Sequence, residues 1–234
     1  MLIAINHLTR MKSGYFCAAG ISKSKAAHVR PVIRYANLST ALLACNGGPF
    51  DMASLVDLGM VHYFGKAPET EDHIFNPKYA RVVKFMKPDE FWELISSYAK
   101  PTLADIFGPD LISHGQGCVV ECGKGRCSLG CLSLSEKPRL FVNKHGKIRI
   151  AIDDGTAQAV LSVTDLRLYE KDDITPNKKL VYQVSRRVNG GVNVLLSVGL
   201  TRPWKKEGEP KEFHWLQVNN LHLEDDPTWR YKVG

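Results

Sequence analysis

The chain has 234 residues, 44% of them hydrophobic and 24% charged, which is enough material for one large core or two small ones. Its aromatic content is ordinary, so intrinsic disorder is not the expected state, and its net charge of +7 favours polyanionic partners over cationic ones. The apolar run at 2–5 is cut short by Asn6, His7, Arg10 and Lys12. That is too short for a signal peptide, and no stretch of about 18 apolar residues exists to cross a bilayer. A cytoplasmic location without membrane association is expected, with the six cysteines reduced.

Taken in chain order, 2–5, 15–21 and 29–33 read as strands, the third interrupted by Pro31 as at an edge or bulge. A short helix is expected over 37–45, stopped by Asn46-Gly47-Gly48-Pro49, with strand character returning at 55–64. A polar loop then runs over 65–77. The clearest helix begins at Pro88, with Asp89 and Glu90 in its first turn and Phe91, Leu94, Ile95 and Tyr98 forming one apolar stripe. Leu103, Ile106 and Phe107 add a further turn. The glycine-rich stretch 115–130 marks a junction, dividing the chain into 1–113 and 114–234. Beyond it strand signals dominate: 139–143 and 147–152 about His145-Gly146, then 159–163, 180–184, 192–200 and 213–218. Asn189-Gly190-Gly191 reads as a hairpin turn, with Arg186 and Arg187 at its tip. The expected class is mainly β with a few helices; short strands at this spacing suit a small barrel or sandwich, and each half has room for one barrel.

The four cysteines Cys118-x3-Cys122-x4-Cys127-x3-Cys131 lie within fourteen residues and offer a thiolate set for structural zinc, with His114 as a substitute ligand. Their three-residue spacers are longer than the usual two-residue knuckle, so thiols lining a glycine-rich loop are the alternative. Cys17 and Cys45, alone in apolar surroundings, read as small core residues. The acidic pairs Asp153-Asp154 and Asp225-Asp226, the latter after Glu224, sit at apparent turns; as divalent-ion ligands they support a metal-dependent nuclease as the alternative function. No other catalytic constellation is present. His214, Trp215 and Gln217 on one strand suit a polar pocket, or more commonly a half-buried strand with Trp215 in the core.

Several ordered segments resemble the dual OB-containing family of prokaryotic proteins. Residues 9–20, Thr-Arg-Met-Lys-Ser-Gly-Tyr-Phe-Cys-Ala-Ala-Gly, resemble its opening strand-turn-strand. His28-Val29-Arg30-Pro31-Val32 resembles the next strand, with His28 displaced from the usual aromatic position. Segments 128–132, 161–165 and 194–200 resemble three later ones, whereas 213–220 departs from the pattern. The resemblance implies two OB-like barrels joined by a helical and glycine-rich segment. It implies binding of RNA or single-stranded DNA by an accessory protein of prokaryotic defence or nucleic-acid processing. It transfers no catalytic residue, and a protein-docking scaffold is a further reading.

An OB barrel holds a strand in a basic groove and stacks its bases on aromatic rings. In the first half Arg10, Lys12, Tyr15, Arg30, Arg34 and Tyr35 lie in or beside the first three strands. Arg30 suits either strand binding or a buried ion pair that braces the barrel. In the second half Arg202, Trp204, Lys205 and Lys206 follow a strand, and Arg186 and Arg187 suit phosphate contacts at the hairpin tip. A solvated loop with Trp204 folded back on the barrel is the plainer reading.

Overall fold

The structure is a computed structural model and describes residues 1–11, 14–172 and 174–229. The first half contributes β1 (Leu2–Arg10), β2 (Tyr15–Ser22), β3 (Ala27–Val32), β4 (Leu38–Ser39), β5 (Ser54–Asp57), β6 (Val61–Tyr63), β7 (Asp72–Phe75) and β8 (Arg81–Phe85). Helix α1 (Pro88–Tyr98), β9 (Ala99–Lys100) and α2 (Leu103–Phe107) follow. The second half adds β10 (Ile112–His114), β11 (Gly117–Glu121), β12 (Leu129–Ser133), β13 (Arg139–Val142), β14 (Ile148–Asp153) and β15 (Gln158–Val163). It is completed by α3 (Lys178–Asn189), β16 (Val194–Leu200) and β17 (Phe213–Leu223).

The strands form two curled sheets, as expected for two OB-like barrels. In the first the order is β6-β7-β3-β2-β1-β5-β8; in the second, β13-β14-β15-β17-β16-β12-β9. Each sheet is organised by one long strand. β1 pairs with both β2 and β5, bulging between Ile5 and His7, while β17 pairs with β16, β15 and β11. A bulge increases local twist, which lets a single strand serve both sides of a curled sheet. The first core gathers Ile3, Ile5, Phe16, Phe50 and Val56 with Phe91, Leu94 and Ile95 from α1. The second gathers Leu132, Ile150, Leu161, Val198 and Val218 with Leu103, Ile106 and Phe107 from α2.

Several local expectations change. Segment 180–184 belongs to α3: Val181, Val184 and Val188 recur at helical spacing and are buried, and the Asn177 side chain caps the Leu180 N–H. Its β-branched residues resemble a strand only over a short window. Asn189-Gly190-Gly191 therefore ends a helix rather than turning a hairpin. The expected helix at 37–45 is β4 followed by two 3₁₀ turns. The 55–64 strand breaks at Gly59, whose φ is +69°, and the 65–77 loop contains β7, parallel to β3. Cys45 is exposed and Cys17 half-buried, so neither is a core residue.

The halves meet along a polar seam. β1 is buried on nearly every residue because its second face packs on the second half. Asn220 hydrogen-bonds the main chain of Leu8, and the Asn6 amide donates to Ser197 Oγ at 3.2 Å. Asn219 Nδ2 donates to His7 Nδ1 at 3.0 Å, and Ser197 Oγ lies 2.9 Å from His222 Nε2. The buried Glu71 carboxylate accepts the Ser128 and Leu129 N–H groups and the Ser128 hydroxyl. Arg10 N–H donates to Thr164 O. Buried polar groups are costly unless paired, so the contacts that cross from one half to the other specify how the halves dock.

Candidate nucleic-acid interface

One face of the first sheet is open toward the second half. Along β2, Phe16 and Ala18 point into the first core, while Cys17 and Ala19 line a cavity of about 880 Å³ between the two halves. Arg10, Arg30 and Arg34 line it from the first half, and Leu200, Arg202, Trp204 and Gln217 from the second. A second cavity of about 840 Å³ crosses the face of the second sheet. It shares Arg10, Thr201, Trp204 and Gln217 with the first, so the two cavities adjoin at these residues.

The groove is cationic. Its first part carries Arg10, Arg30, Arg34 and Arg202 with Asp72 as the acidic lining residue. Its second part adds Arg139, Lys147, Arg149 and Lys206 with Glu209, whose Oε1 lies 2.9 Å from His114 Nε2. Aromatic rings alternate with these charges. Trp204 and Trp215 are 6.0 Å apart at 45°, and Lys206 Nζ lies 5.2 Å from the Trp215 centroid. The Arg139 guanidinium lies 5.0 Å from the Phe141 ring and that of Arg10 4.1 Å from Tyr169. At the far rim Tyr35 is 93% exposed with φ +63°, its ring 5.1 Å from the Arg34 guanidinium. Cations beside π-faces suit phosphates and bases together.

The structure brings together Arg10, Arg30, Arg34, Arg202, Trp204 and Lys206 from the residues singled out in the sequence. Arg30 braces the barrel: its Nε lies 2.5 Å from Asp72 Oδ1, both groups are buried, and Arg202 Nη2 approaches Asp72 Oδ2 at 2.6 Å. Lys12 lies outside the described residues. Tyr15 is exposed at the start of β2 and Lys205 is exposed beside Trp204, neither lining the groove. Arg186 and Arg187 occupy the last turn of α3, away from the groove, where cations offset the helix dipole; Arg187 pairs with Asp225.

Sequence reasoning missed Trp215, which faces the groove rather than the core, together with Arg139, Phe141, Lys147 and Arg149. A signal for three of the last four was present. In the β13–β14 hairpin Leu140, Ile148, Ile150 and Ile152 are buried, leaving Arg139, Phe141 and Arg149 on the opposite face by simple alternation.

The four clustered cysteines do not converge. Cys122 Sγ donates to Glu212 O, Cys127 Sγ to Ile106 O, and Cys131 Sγ accepts from Asn6 Nδ2. Burial pushes the Cys127 thiol up to about 11 and the Cys131 thiol up to about 12, so without a metal both stay protonated. His114 is engaged with Glu209 instead. Among the described residues no group of three or more His, Cys, Asp or Glu is placed to hold a metal ion. The acidic residues are engaged in structure as well. Asp154 caps the turn at Thr156 and Ala157 and accepts the Leu103 N–H, while Glu224 accepts from Asn193.

No helix among the described residues is long and apolar enough to cross a membrane. No curated protein and no solved structure matches this chain closely enough to inform it. The family model of the dual OB-containing domain does match, over residues 5–221, nearly the whole sequence. With two curled sheets each built on one shared long strand, the chain belongs to the dual OB-containing domain family.

Proposed function

We propose that the protein binds single-stranded nucleic acid along the groove that crosses both barrels, acting in the cytoplasm as an accessory module of nucleic-acid processing. One observation carries this reading: cations and aromatic rings from both halves line two adjoining cavities. Phosphates would track Arg34, Arg10, Arg149 and Lys147, and bases would stack on Tyr35, Trp204, Trp215 and Phe141. The strand-facing surface of an OB barrel is its usual oligonucleotide face, and the open face of β1–β3 corresponds to it. On this reading the chain divides near residue 113, with β9 and α2 reaching back onto the second sheet.

The test is fluorescence anisotropy with labelled single-stranded RNA and DNA at rising salt. Affinity should fall steeply between 50 and 200 mM salt, on the order of 10³-fold or more for six phosphate contacts. Trp204→Ala should cost about 1–3 kcal/mol of binding. Absence of binding to any RNA or DNA at low salt refutes the proposal.

A further inference from the structure

The cavity between the barrels has a polar floor distinct from its cationic rim. His7 on β1 faces Ala19 on β2, and the Gly20–Val29 pair leaves Ala19 and Arg30 as the next positions along β2 and β3. Arg30 in turn faces Asp72 on β7. A second row places Thr9 opposite Cys17, and Val32 opposite Ile74. All eight side chains line the cavity. The small Ala19 and Cys17 sit between larger neighbours, so the sheet has a pit at its centre.

Three polar atoms of this floor have no hydrogen-bond partner among the described residues: His7 Nε2, Thr9 Oγ1 and one terminal nitrogen of Arg30, Nη2. Their residues are at least 95% buried. Buried polar atoms are rarely left unpaired without a role. His7 Nδ1 accepts the Asn219 amide, whose Oδ1 is engaged by Gln217, and burial holds the imidazole neutral. The His7 proton therefore sits on Nε2, making that atom a donor. The floor thus offers two donors and a hydroxyl. Its charge is already balanced, because Arg30 and Arg202 share Asp72 and Arg202 also pairs with Glu69. A neutral, donor-bearing floor suits an uncharged acceptor edge better than a phosphate. The phosphate is served at the rim by Arg10 and Arg34, and Leu200, Phe64 and Trp204 supply walls for a flat ring.

We propose that this cavity is a nucleobase pocket, taking one base that presents a carbonyl where cytosine and adenine present an amino group (guanine O6, thymine or uracil O4) and placing its phosphate at the Arg10–Arg34 rim. The base comes from a bound strand or from a free nucleotide. The pocket deepens the groove reading and rests on it for the strand as source. It requires neither chemistry nor a metal: the ligand's carbonyl oxygen accepts from Arg30 Nη2 and His7 Nε2, and Thr9 completes the set.

The experiment compares ten-residue DNA chains of equal charge, all thymine, all cytosine or fully abasic, by anisotropy, with calorimetric titration of free thymidine and cytidine monophosphates in parallel. Thymine and cytosine differ in presenting a carbonyl or an amino group, so the thymine chain should bind about tenfold tighter than the other two. Thr9→Val, which removes the hydroxyl at constant shape, and Cys17→Phe, which fills the pit, should abolish that advantage. Equal affinity for all three chains overturns the pocket while leaving the groove intact, and so does a preference for cytosine. Saturable binding of free thymidine monophosphate without strand binding upholds the pocket and refutes the groove. Binding of neither chains nor nucleotides overturns both.

Discussion

The side-chain amide of Asn220 reproduces a pair of β-ladder hydrogen bonds with Leu8, 212 residues away. Its Oδ1 accepts the Leu8 N–H at 2.6 Å and its Nδ2 donates to the Leu8 carbonyl at 3.2 Å. β1 and β17 are not main-chain partners at this point, so a side chain supplies what a neighbouring strand would. One residue on the organising strand of each barrel thereby fixes their docking register.

Asn220→Ala leaves two buried main-chain groups unpaired and should lower stability by about 2–4 kcal/mol. Urea unfolding measures this. Asn220→Asp should destabilise as well, because a carboxylate can accept from Leu8 N–H but cannot donate to Leu8 O. A loss below about 0.5 kcal/mol for both would mean that the seam does not depend on this contact.

Stability should fall as pH drops below 6.5. Burial holds His7 well below the usual 6.5, His28 at about 4 and His222 at about 3, so the folded state keeps these imidazoles neutral while the unfolded chain protonates them. The stability they contribute is complete above 6.5 and is lost as pH falls toward their folded values, at up to about 1.4 kcal/mol per pH unit per group. Between 6.5 and 5 few carboxylates titrate. Glu71, raised by burial, acts in the opposite direction nearer its own range. His28→Gln should flatten the slope of unfolding free energy across that window, and an unchanged slope would sink the assignment.

Salt dependence separates the two sets of arginines. Arg139→Ala and Lys147→Ala should each reduce the slope of log affinity against log salt by about one, because each removes a phosphate contact. Arg186→Ala and Arg187→Ala, on α3 away from the groove, should leave affinity and slope as they are. Equal effects from both pairs would mean that charge acts diffusely over the surface rather than in the groove.

Native thiol titration should show Cys45 and Cys122 reacting quickly, because both are exposed, with Cys118 and Cys131 reacting only on unfolding. Protein purified without added zinc should carry no stoichiometric metal by elemental analysis, since the sulfurs of Cys122, Cys127 and Cys131 have separate partners. One zinc per chain would contradict the observed placement.

Arg30→Met should destabilise the fold by about 3–5 kcal/mol, because it removes a buried partner of Asp72. Thermal unfolding tests it, and a mild effect would show that Arg202 alone suffices to neutralise that carboxylate.

Much of the architecture was legible in the sequence because it depends on local period. The helix from Pro88, the hairpin at His145-Gly146 and the strands near 15–21 and 194–200 each carry their apolar alternation within a few residues. The residues implicated in binding were legible where a cation or aromatic stood in an obvious loop or strand, as with Arg34 and Trp204. Local period also misled, as at Val181–Val184, where β-branched residues at helical spacing looked like a strand.

By itself the sequence determined two strand-rich units with apolar faces to bury, a basic surplus and the ordered segments of its family. Only the tertiary structure decided what the polar interruptions were for. Asn6 and His7, which break the first apolar run, and Asn219, Asn220 and His222, which break the last, belong to one seam between the barrels. No local pattern links residues some 200 positions apart: each looks like a solvated polar residue until its partner buries it. The same holds for the groove. Its two walls come from opposite ends of the chain, so the channel exists only once docking has brought Arg34 and Trp204 to the same cavity.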